Sequence, residues 1–104
     1  MTYAEFWHRY LRAHARRPTR TLHYVGTTLA LACLAGAVIF RDWRWLPAAP
    51  VLGYGFAWTA HGLVEGNRPE TFGHPFWSLA SDLRMLALAA TGRLGPHLAA
   101  AGVA

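Results

Sequence analysis

An all-α integral membrane fold, a transmembrane hairpin with amphipathic or short helices at its flanks, is what the sequence predicts. Two stretches, 22–40 and 46–64, contain no formally charged residue. At about 1.5 Å per residue, each is long enough to cross a hydrocarbon layer roughly 30 Å thick. Hydrophobic residues make up 54% of the 104-residue chain and charged ones only 14%, against about 25% charged in a soluble domain. The RDWRW segment between the stretches combines charges with two tryptophans, the composition of an interfacial turn.

The elements follow in order. Tyr3, Phe6, Trp7, Tyr10 and Leu11 recur at helical spacing behind Thr2, a good N-cap, so residues 3–15 are expected to form an amphipathic helix on the membrane surface. No apolar core precedes a cleavage site here, so this segment is expected to stay in the mature protein. Pro18 interrupts it and starts the first span, 22–40. The second span, 46–64, carries Pro47, Pro50, Gly53 and Gly55, which membrane helices tolerate where neighbours support the backbone. Residues 65–75 (EGNRPETFGHP) read as a polar loop. Phe76, Leu79, Leu83 and Leu86 mark one side of a helix over 76–90, either interfacial or a third short span, with Asp82 and Arg84 read as a solvated face. The tail, 92–104, is alanine-rich and without a motif. All of this is expected to form one domain.

Charge sets topology. The net charge is +5, every basic residue is arginine, and Arg9, Arg12, Arg16, Arg17 and Arg20 precede the first span. That placement suits an anionic lipid surface and puts both termini in the cytoplasm. No recognition motif accompanies the arginines, so nucleic-acid binding is not expected. Cys33 is the sole cysteine, which excludes an intramolecular disulfide and a thiolate metal cluster. The lack of lysine and the abundance of alanine and arginine suggest a bacterial cell membrane, and a homodimer is compatible with so small a chain.

Histidines carry the chemistry. In a hairpin centred on Trp43, His23 lies 20 positions before the turn and His61 lies 18 after it, so antiparallel helices bring them to nearly the same depth. His14, before the first span, and His74, after the polar loop, can return to the same face, whereas His8 and His97 are not expected to join. Four imidazoles in a low-dielectric setting form a candidate metal site, and imidazole suits iron, zinc, copper and nickel alike. Glu65, four residues after His61, is a candidate ligand, imidazole-orienting acceptor or proton carrier; Asn67 can contact substrate or shape a turn.

The segments HARRPTRTLHYVG (14–26) and HGLVEGNRPETFGHPFWSLASDLRM (61–85) resemble the membrane-bound iron(II)-dependent 2-hydroxy fatty acid dioxygenases of fatty acid α-oxidation, long catalogued as an uncharacterised domain. The similarity runs from about Phe6 to Met85. It implies an Fe(2+) enzyme that uses dioxygen to shorten a 2-hydroxy long-chain fatty acid by one carbon. Its iron-binding histidines match His14, His23, His61 and His74. The family favours asparagine at Thr19 and a small residue at Glu70, which puts substrate contacts there in question. Arg20 and Arg68 are the arginines best placed by sequence for the substrate carboxylate. An all-histidine site differs from the commoner arrangement of two histidines and one carboxylate, for which Glu65 is the candidate. Two rival readings remain: a bis-histidine haem protein ligated by His23 and His61, and a non-catalytic membrane adaptor.

Overall fold

The computed structural model describes residues 1–103, and these form an all-α structure without strands. Five α-helices follow in order: α1 (Tyr3–Ala13), α2 (Arg17–Ile39), α3 (Ala48–Thr59), α4 (Pro75–Ala90) and α5 (Leu94–Ala100). A 3₁₀ turn at Trp43–Trp45 joins α2 to α3, a π-helical turn at Ala60–Glu65 extends α3, and a second 3₁₀ turn at Glu70–Phe72 precedes α4.

Local chemistry explains the boundaries. Thr2 Oγ1 accepts from the Glu5 backbone N–H at 3.2 Å and starts α1. The chain breaks at His14–Arg16, and Pro18, tolerated in the first helical turn, lets α2 begin. Arg20 closes the corner: its Nη1 donates to the carbonyls of His14 and Ala15, both at 2.8 Å, satisfying the open end of α1. Asp42 caps the Trp43–Trp45 turn by accepting from the Arg44 backbone N–H. Gly66, at φ 72°, ends the π-helical turn in the left-handed region.

α2 and α3 pack as an antiparallel pair along small residues. A Cβ on Gly26 would stand 2.7 Å from Phe56 Cβ and 3.2 Å from the Gly53 carbonyl oxygen, so only glycine permits this approach. Gly26→Ala is expected to push the helices apart at about 1–3 kcal/mol. Thermal unfolding in detergent micelles measures it; an unchanged midpoint would refute the close packing.

The structure revises three expectations. Among the described residues only α2 is long and apolar enough to cross a membrane, so the pair is a helical hairpin in which α3, with its π-helical extension, is the shorter arm. The apolar face of α1 does not lie open: Phe6, Trp7, Tyr10 and Leu11 are buried in a cluster with Met85, Leu94, Ala101 and Val103. The tail contains a helix, α5, which closes that cluster as Trp7 Nε1 donates to His97 Nδ1 at 3.1 Å.

Away from that cluster, along α2 and α3, burial runs opposite to that of a water-soluble bundle. The buried residues of α2 are Thr19, Arg20, His23, Gly26, Cys33, Gly36 and Ala37, small or polar. Large apolar side chains face outwards, among them Leu31, Leu34, Val38, Ile39, Val51, Trp58 and Leu63. The same inversion holds in α4, where Ser78, Ser81 and Met85 are buried while Phe76, Leu79 and Leu83 are exposed.

Candidate metal centre

His14 leaves the C-terminal end of α1, His23 sits in the second turn of α2, and His61 enters from the π-helical turn. All three are buried, His14 and His61 with 1% exposure. Their Nε2 atoms form a triangle with sides of 2.9 Å (His14–His23), 3.0 Å (His14–His61) and 3.2 Å (His23–His61). The rings cross at 79–83°, so the three nitrogens converge without the rings stacking.

The outer nitrogens fix the protons. His14 Nδ1 lies 2.7 Å from the Tyr10 carbonyl oxygen, which can only accept, so Nδ1 carries the hydrogen. His61 Nδ1 lies 2.6 Å from Asn67 Oδ1, while Asn67 Nδ2 donates to the Ala13 carbonyl at 3.0 Å and thereby sets which amide atom faces the histidine. His23 Nδ1 faces Asp82 Oδ1 at 3.5 Å. His14 and His61 each hold a hydrogen bond at Nδ1 on the outer side, His23 turns its Nδ1 towards Asp82, and the three Nε2 atoms face one another. Such an arrangement is repulsive until a cation sits among them.

The spacing fits a metal ion. With metal–nitrogen bonds of about 2.1 Å, nitrogens on one octahedral face lie about 3.0 Å apart and those of a tetrahedral site about 3.4 Å apart. The observed sides cluster near the octahedral value, and such a face leaves the opposite one open. The three-histidine cluster can therefore hold a metal ion. The same geometry suits a single ion better than a haem: axial nitrogens on opposite sides of a macrocycle stand about 4 Å apart, whereas these are 3.2 Å apart with a third imidazole beside both.

Electrostatics keep His14 neutral. Burial holds the His14 imidazole well below the ordinary histidine range, and His23 and His61 add to this. The folded pKa lies below the unfolded value of about 6.5, so stability rises with pH between the two. The metal-free protein is expected to have the full contribution above about pH 6.5 and to lose it as pH falls through the depressed folded value. Unfolding midpoints of metal-free protein across that window measure it; a flat profile would contradict the placement. Burial likewise pushes the Tyr10 phenol up, with the Asp82 charge next in effect, so Tyr10 stays protonated and donates to Asp82 Oδ1.

A family model described as 2-hydroxy-palmitic acid dioxygenase Mpo1-like matches residues 1–94. The chain belongs to this family. No curated protein and no solved structure matches it.

In this Mpo1-like chain the remaining candidates fall as follows. His74 lies apart from the triangle, at the start of α4, its ring 5.3 Å from those of both Phe6 and Trp77. His74→Ala is accordingly expected to keep its metal content within about twofold of wild type, because no imidazole of the triangle is lost. Elemental analysis decides: complete loss would make His74 a fourth ligand.

Glu65 also points away. Its Oε1 accepts from the Thr19 hydroxyl at 2.9 Å and from the Arg16 backbone N–H, so it caps the start of α2. The π-helical turn lets His61 and Glu65 serve two different neighbours, and such turns recur at functional sites. Asn67 is the residue that orients His61. Arg20 is buried and committed to the end of α1, which removes it as an open carboxylate receptor. Arg68 lies on the exposed loop, its guanidinium 5.1 Å from the centre of the Phe72 ring. Glu70, where the family favours a small residue, pairs with Arg9 at 3.1 Å.

Two site residues escaped the sequence reading. Asp82, taken for a solvated face, joins α4 to Tyr10 of α1 and His23 of α2. Tyr10 supplies the carbonyl for His14 and the phenol for Asp82. The available signal was the polar stripe Ser78, Ser81 and Asp82 on an otherwise apolar helix.

Proposed function

We propose that this chain is an iron(II)-dependent dioxygenase of the membrane that shortens 2-hydroxy long-chain fatty acids by one carbon. The observation that carries the proposal is the triangle of three Nε2 lone pairs, each imidazole fixed from behind, in a chain of the 2-hydroxy-palmitic acid dioxygenase Mpo1-like family. The reaction balances with dioxygen alone. The bond between C1 and C2 breaks, C2 becomes the carboxyl carbon of the shorter acid, and C1 leaves as carbon dioxide with one water formed. Four electrons pass from the hydroxy acid to dioxygen.

His14, His23 and His61 would hold the iron, which when bound supplies a redox-active Lewis acid with positions for dioxygen and for the substrate's oxygens. The protein residues orient and protect. The Tyr10 carbonyl, Asp82 and Asn67 each face one Nδ1 and so turn the three Nε2 atoms towards one another. Burial of the three rings keeps bulk water from the reacting face. Arg68, one residue beyond Asn67, is the proposed partner of the substrate carboxylate.

The membrane setting rests on the apolar length of α2 and on large apolar side chains facing outwards over small and polar ones. A long-chain acid shares that phase and reaches the site without leaving it. The arginines around the first helix suit the cytoplasmic surface, which is where both termini are proposed to lie.

The test couples metal analysis to turnover. Protein purified without oxygen and loaded with iron(II) is given 2-hydroxypalmitic acid, and oxygen uptake and the acid products are measured. Stoichiometric iron and formation of pentadecanoic acid are expected. Full iron occupancy with no shortened acid would defeat the reading and leave the adaptor alternative.

A further inference from the structure

We infer that the seam between α2 and α3 beyond the histidines is the groove for the substrate's alkyl chain, and that Leu34 and Ala49 at its far end set the longest acid accepted; this rests on the dioxygenase reading above. A cleft of about 330 Å³ opens between α2, α3 and α4. Its α2 wall begins at Thr27, one helical turn after His23, and ends at Leu34. Its α3 wall runs back from Tyr54, two turns before His61, to Ala49 and Pro50. The cleft therefore runs along the helix seam beyond His23 and His61, adjoining the histidines through Asp82 and not through their rings.

The polarity of the lining runs the right way. Asp82, which faces His23 Nδ1 at 3.5 Å, and Thr27 lie towards the histidines, whereas Leu34, Ala49 and Pro50 lie at the other end. An amphiphile would place its polar head at the Asp82 end, beside His23, and its tail towards Leu34. From His23 to Leu34 the helix rises about 16 Å. An extended chain advances about 1.2 Å per bond, as an extended backbone does, so the groove takes roughly a dozen carbons. Leu31, Leu34, Leu79 and Leu83 both line the cleft and are exposed on the outer surface, so a tail can enter sideways from the lipid phase.

The test uses iron-loaded full-length protein in phosphatidylcholine nanodiscs, with 2-hydroxydecanoic and 2-hydroxypalmitic acids in competition. Leu34→Trp is expected to shift the ratio of kcat/KM towards the shorter acid by about tenfold or more, the effect of expelling two or three buried methylenes. Val51→Trp, on an exposed position outside the cleft, is expected to leave that ratio where it was. An unchanged ratio in Leu34→Trp overturns the groove.

A photolabel on wild-type protein covers the case in which that variant does not fold. A 2-hydroxy acid with a diazirine near its terminal carbon is expected to mark Leu34, Ala49 or Pro50. Adducts elsewhere overturn the groove, as does equal marking by a phospholipid with the same diazirine in its tail, which would make the cleft a bilayer crevice. Adducts at the far end without turnover of any 2-hydroxy acid would leave the groove standing and remove the dioxygenase reading.

Discussion

His61→Ala is expected to retain less than about a tenth of the wild-type iron and to lower oxygen uptake with 2-hydroxypalmitic acid by about a thousandfold, well beyond the 10–100-fold typical of losing a partner behind a ligand. His61 completes the triangle from the opposite arm of the hairpin, at 3.0 and 3.2 Å from its two neighbours. Its loss leaves two imidazoles and a space between α2 and α3. Removing a buried side chain also costs packing, so the variant must be shown to be folded by its helical circular dichroism. His61→Gln is the companion, since it fills the space but offers no imidazole nitrogen. Iron retained by both variants, with full turnover, would remove His61 from the site.

The second large effect is expected at Asp82. It stands behind His23 and also receives the buried Tyr10 phenol, so one carboxylate ties three helices to one ligand. Asp82→Asn keeps the shape and an acceptor oxygen but removes the charge that makes His23 a better donor. About tenfold weaker iron binding is expected, and up to about a hundredfold for Asp82→Ala, which also leaves the Tyr10 hydroxyl without its partner. The pair separates two roles. If Asp82 only braces the fold, both variants lower the unfolding midpoint while iron affinity in the folded protein stays unchanged. If it tunes His23, Asp82→Asn weakens iron binding with little change in the midpoint.

Much of the helical layout was legible from spacing. Helical rise is constant, so counting from Trp43 brought His23 and His61 to one depth, and their Nε2 atoms are 3.2 Å apart. Thr2 and Pro18 marked helix starts by their chemistry, a capping hydroxyl and a ring that fits only the first turn. The surroundings of the histidines were less legible. Asp82 looked solvated because the apolar line Phe76, Leu79 and Leu83 invites burial, yet Phe76 is 85% exposed. In α4 the apolar stripe faces outwards and the polar one inwards, as in helices that pack within lipid, which reverses a rule learned from water.

By itself, then, the sequence determined an all-α chain, its turn, the depth of two histidines and, through its motifs, the family. These follow from local periodicity and fixed helical rise. Only the tertiary structure decided which nitrogens converge, that Glu65 caps α2 instead of joining them, that His74 rests against Phe6 and Trp77, and that Asp82 stands behind His23. Those choices depend on helix rotation, on one π-helical turn and on the partner each imidazole meets on its outer side. Each is set by contacts between residues far apart along the chain, which local periodicity does not report.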